Sequence, residues 1–249
     1  MARELLTVCL PPMEVRAVPD AIARAMAPYD MNGDHVPYQG EWDAWSIGGS
    51  IPFAVRAGAE HDPRLIRVDD APGPSARPQL PPSQCDGGPR ALIDLETERA
   101  AVAGQARAEW RTWHAFARAY PPARTMDELR REFNAVHGLG PDSRFREQFE
   151  EQEVIKAIQH DPAVQALASG MFDPIRRFAE PEEVHVRRAC SAVNPTHALL
   201  TLDGRWLDAA SDILTGQGEI FGGSYNEFAD AYLLGLPGEC LVVRVRFHG

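Results

Sequence analysis

Eight consecutive residues, Trp42-Asp43-Ala44-Trp45-Ser46-Ile47-Gly48-Gly49, set two indoles and a carboxylate ahead of a glycine pair. An indole offers a broad apolar face and a single N–H donor, and paired glycines let the backbone approach a neighbour closely. The combination suits a stacked planar ligand. The competing use is structural: both indoles cap a sheet edge, and Asp43 bonds an indole or a backbone amide. Trp206 adds a third indole, and Arg244, Arg246 and His248 stand at alternating positions near the end of the chain. Two guanidinium groups on one strand face can grip a carboxylate or phosphate bidentately, although charges on edge strands also serve to prevent aggregation. The ligand-binding candidates are therefore Trp42, Asp43, Trp45, Gly48, Gly49, Trp206, Arg244, Arg246 and His248.

A nucleophile has weaker support. Cys85 opens the run Cys85-Asp86-Gly87-Gly88-Pro89-Arg90, with His197 or His114 as a possible base. A reactive thiol needs a cation or helix N-terminus to lower its pKa, and Arg90 or a helix starting near Asp94 is placed in sequence to supply one. A tight structural turn explains the same residues. Asp30, Asn32, Asp34 and Glu41 fall at positions one, three, five and twelve of a calcium-binding loop, but His35 replaces its required glycine. His185, Cys190 and His197 lack zinc spacing, and Asp208 and Asp212 share a helix face only if their glycine-rich segment is helical. No metal is expected. Neither a phosphate-binding GxxxxGK[ST] loop nor a strand-borne GxGxxG occurs. The glycines at Gly216, Gly218, Gly222 and Gly223 precede a capped helix and suit either an anion cradle or a cover over the pocket. No cofactor is specified.

Composition narrows the partners. The 249 residues carry a formal net charge of -11, with 25 Lys and Arg against 36 Asp and Glu. Such a balance argues against a nucleic-acid polymer or an anionic membrane as partner. Lys156 is the only lysine. No apolar run approaches the roughly 20 residues of a membrane span, and no export signal precedes the first strand. Cys9, Cys85, Cys190 and Cys240 are scattered without CxxC pairs, which predicts reduced thiols and a cytoplasmic protein.

The elements that must position these residues lie at the two ends of the chain. Leu6, Val8 and Leu10 alternate with Leu5, Thr7 and Cys9 as a strand; a helix follows from Pro19, with Ile22, Ala25 and Met26 on its inner stripe. Near the other end, His197–Leu202 and Arg205–Ala209 read as a hairpin with a two-residue Asp203-Gly204 turn. Ser224 and Glu227 make a capping box. The last strand places Leu241, Val243, Val245 and Phe247 against the core and Val242, Arg244, Arg246 and His248 on a partly wet face. From Ile93 the pattern is helical, with Leu95, Val102, Ala106, Trp110, Trp113, Phe116 and Tyr120 on one stripe. Thr125 and Glu128 form a second capping box, and Asp161-Pro162 and Asp173-Pro174 each pair a cap with proline in the first turn. These signals predict an α+β fold, a split ferredoxin-like sandwich with a helical insertion. The expected segments are 1–60 and 183–249 for the sandwich, 61–92 for a Pro/Gly-rich connection and 93–182 for the insertion.

The chain resembles an uncharacterised group of actinobacterial and actinophage proteins bearing a Trp-Asp-Trp-Tyr-x-x-Gly-Gly-Arg-Trp element. The likeness runs through Tyr29-Asp30, Trp42–Gly49, Cys85–Arg90, Trp110 and Trp113, the hairpin Ala198–Trp206, the loop at Phe221 and the strand ending at His248. Ser50-Ile51 stands where that group has Arg-Trp. The resemblance implies relatedness and no specific chemistry. Three functions fit the residues. One is a module binding a small planar or anionic ligand, a nucleotide among them. Another is a hydrolase or transferase using Cys85 and His197, and the third is a non-catalytic homodimer pairing through an exposed sheet face.

Overall fold

The computed structural model describes residues 4–33, 40–68, 79–138, 144–208 and 224–249. Asp34, His35, Asp212 and the glycines from Gly216 to Gly223 lie outside them. The chain divides into two compact units, Met1–Arg99 with Ser191–Gly249, and Ala100–Cys190.

The first unit is built on a mixed sheet. Its strands are β1 (Glu4–Leu10), β2 (Ala44–Ile47), β5 (Gly87–Pro89), β6 (Ala198–Leu200), β7 (Trp206–Asp208) and β8 (Leu241–His248). Their order is β2-β8-β1-β6-β7, and β5 also pairs with β8. A separate two-stranded ribbon joins β3 (Phe53–Ala54) to β4 (Gln84–Cys85). The two ends of the chain fold together, since β8 runs antiparallel to β1 along seven residue pairs, from Glu4↔Phe247 to Leu10↔Leu241.

The strand order departs from the ferredoxin-like arrangement. That fold sets the returning strand of the hairpin beside the first strand, whereas here the outgoing strand β6 lies parallel to β1, with Leu6 opposite Ala198. Strand β7 lies outside it. Burial accounts for the choice: Ala198, Leu199 and Leu200 are all enclosed, so β6 needs cover on both faces and a neighbour on both sides. Asp208 at the end of β7 is only half-buried and suits the outer position. The hairpin loop is also longer than the sequence suggests. Thr201 N–H donates to the Arg205 carbonyl across Leu202-Asp203-Gly204, with Gly204 at φ 80°, the three-residue form that needs a left-handed glycine.

Strand parity divides the core. Leu6, Val8, Leu10, Leu200, Val243 and Val245 pack on one face with Val18, Ile22 and Met26 of α1 (Val18–Met26). Cys9, Leu199 and Val242 pack on the other with Tyr225, Ala229 and Leu233 of α9 (Tyr225–Gly235). Ile22, Met26 and Leu233 are fully enclosed, and each contributes about 1.5–3 kcal/mol of apolar burial. Both faces of the central strands are therefore covered. On the edge strand β2, Ala44 and Ser46 remain exposed beside the half-buried Arg246 and His248 of β8.

The second unit is helical. From Ala100 it comprises most of α2 (Thr97–Ala117), then α3 (Met126–His137), α4 (Arg144–Glu150), α5 (Glu153–Ala157), α6 (Pro162–Ala168), α7 (Pro174–Arg177) and α8 (Glu182–Ser191). Trp113 stacks on Phe178 at 5.3 Å within a cluster that includes Val154 and Val164. The expected caps form: Thr125 and Glu128 bond reciprocally, and the Asp161 and Asp173 carboxylates accept backbone N–H groups. The insertion begins later than the periodicity predicts. Ile93 and Leu95 belong to the sheet unit's core, and Ile93 bridges to Val55.

Candidate functional site

The residues around Trp42 are tied into the sheet unit by their own contacts. Trp42 donates its indole N–H to the Met26 carbonyl at 3.0 Å, pinning the chain to the end of α1. Trp45 sits on the edge strand β2 opposite Phe247. Asp43 meets the His248 ring at 2.8 Å, in place of the predicted indole or backbone amide. Gly48 has φ 97°, a conformation that favours glycine, and Gly49 lies against the Leu5 side chain. Arg246 donates to the Ser46 hydroxyl at 3.3 Å. A small recess of about 190 Å³ at this edge is lined by Trp45, Ser46, Arg246, Phe247 and His248.

Arg244 corrects the expectation of a wet cationic face. It is 3% exposed, and its guanidinium lies 4.0 Å from the Phe53 ring centroid. Nη1 donates to the Thr7 hydroxyl and Nη2 to the Asn194 carbonyl. Burial pushes its pKa down from the ordinary guanidinium value to about 10. No carboxylate forms an ion pair with it among the described residues. The outer side of β8 is covered at this level by the β3–β4 ribbon, so alternation does not bring Arg244 to water. Strand parity also separates it from Trp206: Thr7 pairs with Arg244 on one face, while Trp206 pairs with Leu200 on the other. The predicted floor of Arg244, Arg246, His248 and Trp206 does not assemble.

The Cys85–Arg90 run is likewise packed into the sheet unit. Cys85 is fully enclosed beside Phe53, and burial pushes its thiol up to about 11. Burial thus disfavours the thiolate that nucleophilic attack requires. The Asp86 carboxylate accepts the Val68 N–H at 2.9 Å. Gly87 lies so close to β8 that a Cβ would stand 2.5 Å from the Val242 carbonyl oxygen. Arg90 is buried, donating to the Leu233 carbonyl and to Glu96. His197 sits elsewhere, its Nδ1 accepting the Leu5 N–H at 3.1 Å; that bond leaves the ring hydrogen on Nε2. Among the described residues no hydrogen bond joins Cys85 to His197. His114 bonds the Phe178 carbonyl within the helical unit.

The chemistry converges at the end of the sheet where β1 and β6 begin and β7 and β8 finish. A hollow of about 440 Å³ is lined there by Glu4, Met31, Gly40, Glu41, His197, Ala198, Trp206, Asp208, Phe247 and Gly249. Its size falls within the range of small-molecule sites. Parity supplies most of the wall, since Trp206 and Asp208 share one side of β7 and Glu4 faces Phe247 across β1 and β8. The Trp206 ring meets Phe247 edge-on at 5.3 Å and Tyr29 at 5.3 Å. The Tyr29 hydroxyl accepts the Trp206 backbone N–H and donates to the Gly204 carbonyl, locking the hairpin. Trp206 is 9% exposed, yet its indole N–H has no acceptor among the described residues.

Among the described residues, three carboxylates and no lysine or arginine line this hollow. Burial, and then the negative charge of Asp208, raises the Glu41 pKa above the ordinary carboxylate value. No protein-family model, curated protein or solved structure matches the chain. Function must therefore be read from the hollow itself. Among the described residues no cluster of three or more His, Cys, Asp or Glu has metal-holding geometry, and no helix is long and apolar enough to cross a membrane.

Trp206, expected beside Trp42 and Trp45, and His197, expected only as a base for Cys85, both line this hollow; Glu4, Glu41 and Asp208 were not among the expected site residues. Glu41 was visible only as the last position of a calcium-like loop, and Asp208 only as half of a helical pair with Asp212. The available signal was period two: Trp206 and Asp208 alternate around Leu207, so an indole and a carboxylate share one face.

Proposed function

We propose that the protein binds a small planar ligand bearing a positive charge in the hollow bounded by Trp206, Phe247, Glu41 and Asp208. The observation that carries this reading is Glu41, a half-buried carboxylate in the lining whose pKa is raised by burial and then by the negative charge of Asp208, so that a bound cation would favour its charged form. Trp206 and Phe247 supply an apolar wall for a flat ring. Of the planar and anionic ligands that the residue types suggest, a phosphate or carboxylate would meet the carboxylates of Glu4 and Glu41, so the lining favours a protonated amine or amidine. A reducing, cytoplasmic setting belongs to the same proposal and is supported by four free cysteines, all buried.

A matched probe series tests the charge preference. Benzamidinium, benzamide and benzoate share one ring and differ in charge, and binding is followed by calorimetry near neutral pH. Benzamidinium should bind more tightly than benzoate by at least about fivefold, the scale of one partly exposed ion pair. Glu41→Gln should narrow that ratio. Equal binding of the three, or a preference for benzoate, removes the proposal.

A further inference from the structure

The helical unit holds a second, larger hollow of about 550 Å³ whose lining differs in kind. Its floor is apolar. Met126 and Phe149 are 7% and 4% exposed and belong to the cluster that also contains half-buried Ile155. Met171 lies alongside, so two flexible thioethers can adjust to an irregular chain. At the rim stands Arg146, its guanidinium 5.8 Å from the ring centroid of Phe172, which is 69% exposed. Other arginines of this unit are held by carboxylates, including Arg107 and Arg111 by Glu182, Arg124 by Glu132 and Arg176 by Asp127. Arg146 forms no ion pair among the described residues. Lys156 and Glu150 also border the hollow, but Lys156 is held by Glu151, so Arg146 is the cation on this rim without a carboxylate partner among the described residues.

We infer that this hollow is a binding site for an amphipathic anion, an unbranched acyl chain ending in a carboxylate. The chain would lie over Met126, Phe149, Ile155 and Met171, and the headgroup would meet Arg146 where Phe172 shields one side of the guanidinium. Three features fit this ligand together: an apolar floor, a cation without a carboxylate partner, and an aromatic ring left open beside it. A phosphate would use the cation and leave the floor wet. A wholly apolar molecule would use the floor and leave Arg146 idle.

Calorimetry on the full chain with decanoate and dodecanoate, each below its micelle concentration, tests the assignment. One molecule should bind per chain, with Kd falling about fourfold for each added methylene. Dodecyltrimethylammonium, of equal length and opposite charge, should bind about tenfold more weakly than dodecanoate. Arg146→Gln alters an exposed side chain and should erase that preference while retaining the dependence on length. Phe172→Ala, also at an exposed position, checks the rim independently and should weaken dodecanoate by several-fold. Binding without length dependence, equal binding of the cationic amphiphile, or an Arg146→Gln variant indistinguishable from the parent each overturns the inference. Glu41→Gln should leave dodecanoate binding unchanged, so this result stands or falls separately from the benzamidinium series.

Discussion

Replacing Arg244 with methionine measures what a charge buried in the sheet unit costs. The wild-type side chain forms two hydrogen bonds, to Thr7 and Asn194, and a ring contact with Phe53, and its Nε has no acceptor among the described residues. Burial pushes its pKa down to about 10, which at about 1.4 kcal/mol per unit corresponds to roughly 3 kcal/mol against the charged form. Methionine removes that penalty but forfeits the hydrogen bonds and the ring contact, together about 3–5 kcal/mol. The opposing terms nearly cancel, so Arg244→Met should destabilise by no more than about 2 kcal/mol. Arg244→Ala also empties the space and should cost about 3–5 kcal/mol. Urea unfolding followed by tryptophan fluorescence gives both values. The pH dependence supplies a sign. Because the folded pKa lies below the unfolded one, the folded chain releases this proton first, and the penalty shrinks as pH rises above about 10. Wild-type stability should therefore gain about 1 kcal/mol on the methionine variant between about pH 9 and about pH 11. A methionine variant as unstable as the alanine one, or a gap indifferent to pH, would refute the reasoning.

Further expectations follow from single residues. Gly87→Ala drives a Cβ to 2.5 Å from the Val242 oxygen and 2.9 Å from the Val243 Cα; it should lower stability by about 1–3 kcal/mol in denaturant titrations. Glu41→Gln should stabilise the protein by a few tenths of a kcal/mol at neutral pH. Since the Glu41 pKa is raised in the folded chain, that advantage should fade as acid protonates the wild-type carboxyl, which parallel melts at several pH values would reveal. Burial raises the Cys9 and Cys85 thiols, and all four cysteines are enclosed. An aromatic disulfide reagent should therefore react slowly with the native chain and rapidly in denaturant; a fast native reaction at Cys85 would restore it as a nucleophile.

Local signals in the sequence proved sufficient wherever one residue or a short period decides the outcome. The capping boxes at Thr125 and Ser224 form as their spacing requires, because the side chain and its backbone donors lie within four residues. The alternation in β1 likewise marks a strand. Strand neighbours were not legible, because β6 sits beside β1 through a pairing that spans most of the chain and depends on cover for both faces of Leu199 and Leu200. The same missing information misplaced Arg244. Alternation fixes which side of β8 it occupies, and only the packing of the β3–β4 ribbon decides whether that side is wet. For the hollow, parity places Trp206 and Asp208 together, but Glu41 joins them from a loop that carries no period at all.

Indole N–H resonances report on the sheet-end hollow most directly. In a proton–nitrogen correlation spectrum, Trp206→Phe identifies the Trp206 signal among the five indoles. Titrating benzamidinium should shift that signal saturably, with the midpoint matching calorimetry, while the Trp110 and Trp113 signals stay in place. A Trp206 resonance that does not move while benzamidinium binds elsewhere would place the cation outside this hollow.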